Sequence, residues 1–120
     1  MIAHARRAAP AECCGFLVGR GRAVISTVEM DNVSASPTAF QIDAAEHIEL
    51  RRLLRRARPP LAILGVYHSH PVSEAYPSET DVSQCFYPDW VQVIISLATQ
   101  PPIVQGFRIA AGQVEPVALR

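Results

Sequence analysis

Apolar and polar positions recur along the chain with periods that assign most of its elements. Ile2 to Ala9 is alanine-rich with Arg6 and Arg7, and reads as a helix that must end near Pro10. Cys14, Phe16 and Val18 alternate with Cys13, Gly15 and Leu17, small or apolar on both faces, which predicts a central strand ending at Gly19-Arg20-Gly21. Ala23 to Met30 supplies a β-branched return strand across that glycine-bounded turn. Asn32 to Pro37 is small and polar and reads as loop, and Thr38 to Ile42 reads as a short strand by alternation. Asp43 and Glu46 form a capping box for a second helix over about Ala44 to Arg58, in which Leu50, Leu53, Leu54 and Ala57 recur at helical spacing.

Pro59-Pro60 stops that helix. The run Leu61 to Tyr67 then predicts a buried strand leading into His68-Ser69-His70-Pro71. Ser78-Glu79-Thr80-Asp81 opens a short helix, Tyr87-Pro88-Asp89 a turn, and Val91 to Leu97 another buried strand. Ile103 to Ala110 and Val114 to Leu119 flank Ala111-Gly112-Gln113 as a hairpin, with Pro116 suited to an edge strand. This order predicts an α/β fold, a mixed β-sheet with helices packed on it, and residues 1–120 are expected to form one domain.

Composition removes several classes of function. With 49% hydrophobic and 18% charged residues and zero formal net charge, the chain offers no field for nucleic acid or an anionic membrane. Arg51, Arg52, Arg55, Arg56 and Arg58 read as a solvated helix face, because Glu46 and Glu49 interrupt the charge. No apolar run approaches the roughly 20 residues a membrane span needs, and no secretory signal opens the chain, so a cytoplasmic location is expected. The cysteines, Cys13, Cys14 and Cys85, are odd in number and lack Cys-x-x-Cys spacing, so they read as buried small hydrophobes rather than as disulfides or a second zinc site. All eleven basic residues are arginine.

The candidate chemistry lies where the third predicted strand leaves the core. If strand geometry continues through His70, His68 and His70 share a face while Ser69 points away. The proline-bracketed loop from Pro71 to Pro77 can return Asp81 to them. Two imidazoles and a carboxylate suit Zn2+, and three protein ligands leave a fourth tetrahedral position open for water, the mark of a catalytic site. Ser78-x-x-Asp81 is also a helix capping box, and Glu12 taken alone reads as an exposed strand residue. Cys14 as a thiol nucleophile is disfavoured by its apolar surroundings.

His-x-His, seven residues, Ser, two residues, Asp resembles the signature of the JAMM (MPN-plus, Mov34/JAB1-like) metallopeptidases, matched by His68, His70, Ser78 and Asp81. Glu12-Cys13-Cys14-Gly15-Phe16-Leu17-Val18-Gly19 is similar to the upstream glutamate segment of the small prokaryotic members. The resemblance covers nearly the whole chain and implies a cytidine-deaminase-like α/β sandwich with one catalytic Zn2+ on His68, His70 and Asp81. It also implies Glu12 as general base and Ser78 as hydrogen-bond donor to the developing oxyanion. The implied activity is hydrolysis of a peptide or isopeptide bond at the C-terminus of a ubiquitin-like sulfur-carrier protein, releasing an amino acid or short extension after Gly-Gly. Small members usually have a strand before the first helix, and here the chain starts almost at that helix, which bears on stability and self-association. Two rival readings are a non-catalytic MPN-type binding module and a RadC-like protein linked to DNA repair. The first is disfavoured by the complete ligand set, and the second by the Glu12-Cys13-Cys14-Gly15 segment and the short chain.

Overall fold

A computed structural model describes residues 1–119. The elements in chain order are α1 (Ile2–Ala8), β1 (Cys14–Arg20), β2 (Ala23–Met30), α2 (Ala44–Arg56), β3 (Ala62–His70), α3 (Glu79–Ser83), β4 (Val91–Ser96), β5 (Ile103–Ala110) and β6 (Gln113–Val117). The strands form one sheet in the order β2-β1-β3-β4-β5-β6. Only β3 and β4 run parallel. A parallel pair needs a crossover, and the segment from Pro71 through α3 supplies it, so the chain must leave the sheet just after the histidines.

Period-2 alternation sends side chains to two covered faces. Ala5 of α1 packs with Cys13, Leu17, Tyr67, Val93 and Ile95 on one face. Leu54 of α2 packs with Phe16, Val18, Ile63 and Val66 on the other, where Phe40, Ile42, Leu50 and Trp90 close over it. Ile63 and Val66 share a face although three residues apart, because the β1–β3 register steps from Val18↔Ile63 to Leu17↔Gly65. The bulge at Leu64 resets the phase. It thereby decides that His68 and His70 emerge on the α2 face and Tyr67 and Ser69 on the α1 face.

Gly15 lies opposite Tyr67, and a Cβ there would run into the Tyr67 ring. The buried phenol crosses that gap and hydrogen-bonds His4 Nδ1 at 2.8 Å, tying α1 to the sheet. Gly21 (φ 58°) and Gly112 (φ 75°) occupy the two hairpin turns in the left-handed region.

Three expectations need correction. Residues 38–42 are not a strand. The Asn32 side chain takes the place of a strand partner, its amide nitrogen donating to Ala39 O and its oxygen accepting from Gln41 N. Helix α2 ends at Arg56 rather than Arg58, since Arg58 precedes a proline and is driven from helical geometry. The last strand ends at Val117, with Pro116 on the edge strand β6 as expected. Cys13 and Cys14 are buried, whereas Cys85 is only half-buried, and all three are free thiols.

Candidate metal centre

Strand β3 does continue through His70, and both imidazoles are buried. Their Nε2 atoms lie 3.1 Å apart, and Asp81 Oδ2 is 3.2 Å from His68 Nε2 and 3.1 Å from His70 Nε2. Four ligands at about 2.0–2.1 Å around a tetrahedral ion stand about 3.3 Å apart, so this nearly equilateral triangle fits one face of such a tetrahedron. The donor chemistry agrees. His70 Nδ1 is 2.8 Å from Glu74 O, and its proton donated there leaves Nε2 as a lone pair aimed into the triangle.

The same triangle calls for positive charge. Burial pushes the Asp81 carboxyl up, yet hydrogen bonds from His68 and His70 overcome it and hold the group well below the usual carboxylate range. Burial lowers His70, and the Asp81 carboxylate and Glu74 carbonyl outweigh it, so its pKa is raised. A cation at the centre meets this demand without protonating a ligand nitrogen.

Local structure explains how Asp81 arrives. Ser78 is the N-cap of α3, its Oγ accepting from Asp81 N at 3.1 Å while Asp81 Oδ2 accepts from Ser78 N at 2.9 Å. The capping box expected as the competing reading is present, and its carboxylate oxygen is also the one that meets the imidazoles. Ser78 is exposed and uses its oxygen as acceptor, leaving its O–H free.

Glu12 is buried rather than exposed, at 5% accessibility. The β1–β3 register pairs Cys14 with His68, and Ser69 N donates to Cys13 O at 3.1 Å, so Glu12 falls opposite His70 on the same face. Its backbone carbonyl accepts from Asn32 Nδ2 at 2.9 Å, while its side-chain Oε1 is buried without a partner among the described residues. Burial, with Asp81 adding and His70 opposing, pushes its carboxyl from 4.5 up to about 7. Burial likewise pushes the Cys14 thiol up to about 12, which removes it as a nucleophile.

Sequence reasoning missed the residues that hold these groups still. Phe40 stacks on the His68 ring, centroids 4.5 Å apart and planes 23° apart, and His68 Nδ1 is buried with no hydrogen-bond partner among the described residues. Ser96 Oγ donates to Ser73 O at 2.6 Å and anchors the loop after His70. Tyr76 packs edge-on against Phe107. Arg51 departs from the solvated face, its Nε donating to His47 Nε2 at 2.9 Å.

Fold and site define a mixed-sheet domain with a two-histidine, one-carboxylate metal-type centre at the end of a parallel strand. The chain belongs to the prokaryotic homologs of the JAB domain, matched over residues 1–109. It is 37% identical over 124 residues to the CysO-cysteine peptidase of Mycobacterium tuberculosis, covering 98% of this chain and 82% of that protein. It is 35% identical over 103 residues to the desampylase of Haloferax volcanii, covering 80% and 73%. A protein of Desulfitobacterium hafniense solved in solution superposes with a TM-score of 0.85 at 36% identity, over 98% of this chain and 82% of that one. A JAB1/MPN domain protein from Archaeoglobus fulgidus shares the fold, with a TM-score of 0.64 at 19% identity over 98% and 86% of the two chains. No helix among the described residues is long and apolar enough to cross a membrane.

Proposed function

We propose that this protein is a zinc peptidase that hydrolyses a peptide or isopeptide bond at the C-terminus of a ubiquitin-like sulfur-carrier protein, releasing an amino acid or short extension. The observation that carries the reading is the 3.1–3.2 Å donor triangle of His68, His70 and Asp81 with the unpartnered carboxyl of Glu12 beside it. Kinship to a CysO-cysteine peptidase and a desampylase supports the substrate class.

Zinc on the three ligands would supply a Lewis acid that polarises the scissile carbonyl and makes water nucleophilic near neutral pH. Glu12 takes a proton from the attacking water and passes it to the departing amine, a role suited to a carboxyl near 7. Ser78 donates its O–H to the carbonyl oxygen as that atom gains charge. Glu74 O holds the His70 tautomer through Nδ1.

The test is metal content by mass spectrometry on wild type, His70→Ala and Glu12→Gln, followed by a panel of C-terminally extended ubiquitin-like carriers. The expected result is one zinc in wild type and in Glu12→Gln, none in His70→Ala, and trimming by wild type alone. Zinc-loaded wild type that trims no carrier overturns the substrate class. Wild type that takes up no metal overturns the enzyme and leaves a binding module.

A further inference from the structure

Glu12 stands between two neighbours in the register of the sheet. Counted on from Cys14↔His68 it falls opposite His70, and counted on from Cys14↔Met30 it falls opposite Asn32. The β1–β2 ladder stops at Cys14↔Met30, short of that second pair. A side chain takes over from the backbone there, with Asn32 Nδ2 donating to Glu12 O at 2.9 Å.

The other three hydrogen-bonding positions of the Asn32 amide are filled as well. Nδ2 donates to Ala39 O at 3.1 Å, and Oδ1 accepts from Ser34 N at 2.9 Å and from Gln41 N at 3.0 Å. Two carbonyls on one side and two N–H groups on the other admit a single orientation of the amide, so the side chain is locked.

The bonds to Ala39 and Gln41 bracket Phe40, the residue stacked on the His68 ring. Val33 N adds a backbone bond to Gln41 O at 2.9 Å, closing the same loop. Residues 39–42 line a cavity of about 240 Å³ with His47, Tyr87 and Trp90, and His68 and Asp81 stand in its wall, so a shift of this segment is felt at the ligands. On the other arm, Glu12 Oε1 is buried without a partner among the described residues, and the carboxyl takes its place from the backbone that carries it.

We propose that Asn32 is a positioning residue for the reaction. Through Glu12 O it holds the base opposite His70, and through Ala39 and Gln41 it holds Phe40 against His68. The proposal rests on the hydrolysis proposed above and adds to it a residue that touches neither substrate nor metal.

The experiment compares wild type, Asn32→Ser, Phe40→Leu and the double variant at a temperature where urea denaturation shows each to be fully folded. Serine keeps a hydroxyl for the turn to Ser34 N and has no amide to span the two carbonyls. Zinc affinity is read by chelator competition, and kcat and KM at saturating zinc on the C-terminally extended carriers that wild type trims. Zinc affinity should fall about threefold in Asn32→Ser, and the double variant should bind zinc no more weakly than Phe40→Leu alone, since both act through one contact. At saturating zinc kcat should fall about tenfold with KM within about twofold of wild type. Should Asn32→Ser not fold, Asn32→Asp, which keeps both accepted bonds and loses both donated ones, replaces it for the kcat reading. Zinc losses that add in the double variant overturn the hold on His68 and reduce Asn32 to a loop brace. An unchanged kcat at saturating zinc overturns the hold on Glu12 and leaves the hydrolase standing. Wild type that trims no carrier overturns the hydrolase itself, and the zinc comparison then still decides the hold on His68.

Discussion

Ser69 accepts a hydrogen bond from the Cys13 backbone N–H at 2.8 Å in the buried interior, and donates its own N–H to Cys13 O at 3.1 Å. These two bonds join the residue between the histidines to the residue after Glu12. The backbone bond carries the β1–β3 ladder one pair beyond Cys14↔His68, the Ser69 hydroxyl reinforces it, and Glu12 thereby falls opposite His70. Replacing Ser69 with alanine leaves a buried N–H unpaired, which costs about 1–3 kcal/mol. Urea denaturation should show that loss, and turnover should fall while metal content stays at one per chain.

Glu12 couples function to stability through its pKa. A carboxyl whose folded pKa is above its unfolded value favours the fold while protonated, and that advantage is lost as pH rises from 4.5 through about 7. Metal-free wild type should therefore be about 3 kcal/mol less stable than Glu12→Gln at pH 8, and equal to it at pH 4. Urea midpoints of the two proteins with chelator present at both pH values check this. Activity has the opposite slope, rising as Glu12 ionises, and a bound divalent cation moves that limb below 7.

Ser78 carries two separable contributions. Ser78→Ala removes the N-cap of α3, worth about 1 kcal/mol, and the hydroxyl proton proposed for the developing oxyanion, worth about 3 kcal/mol of barrier. Turnover at a temperature where the variant is fully folded should drop about a hundredfold, with Ser78→Thr restoring most of it. A fall of less than threefold would leave the cap as the whole role of Ser78.

Phe40 takes the place of a hydrogen-bond partner for His68. Its stacking orients an imidazole whose Nδ1 has no partner, so Phe40→Leu should weaken metal binding about threefold to tenfold, the aromatic contribution being about 0.5–1.5 kcal/mol. Competition against a chelator measures this, and Phe40→Trp should remain close to wild type.

Metal binding should itself weaken in acid. His70 has a raised pKa, and a proton and a metal ion compete for its Nε2 lone pair. Affinity measured by chelator competition should fall steadily from pH 8 to pH 5, and an affinity unchanged over that range would show that no ligand nitrogen is protonated in it.

Local pattern alone reached a long way into this molecule. The alternation of apolar residues and the punctuation by proline and glycine gave eight of the elements close to their true bounds, because strand faces and helix stripes are properties of nearest neighbours in the chain. His68, Ser78 and Asp81 were legible for the same reason: a strand end, a proline-bracketed loop and a capping box are each local. The segment 38–42 misled because alternation cannot reveal that an asparagine side chain, and not a strand, satisfies the backbone.

Tertiary structure decided the rest. Which face the histidines occupy depends on one bulge at Leu64, and the place of Glu12 beside them depends on the β1–β3 register across more than fifty residues of chain. The cavity of Phe40, His47, Tyr87 and Trp90 joins a loop, a helix and a turn that share no sequence motif. Such contacts arise from packing two covered faces against one sheet, and packing responds to shape and volume rather than to spacing along the chain.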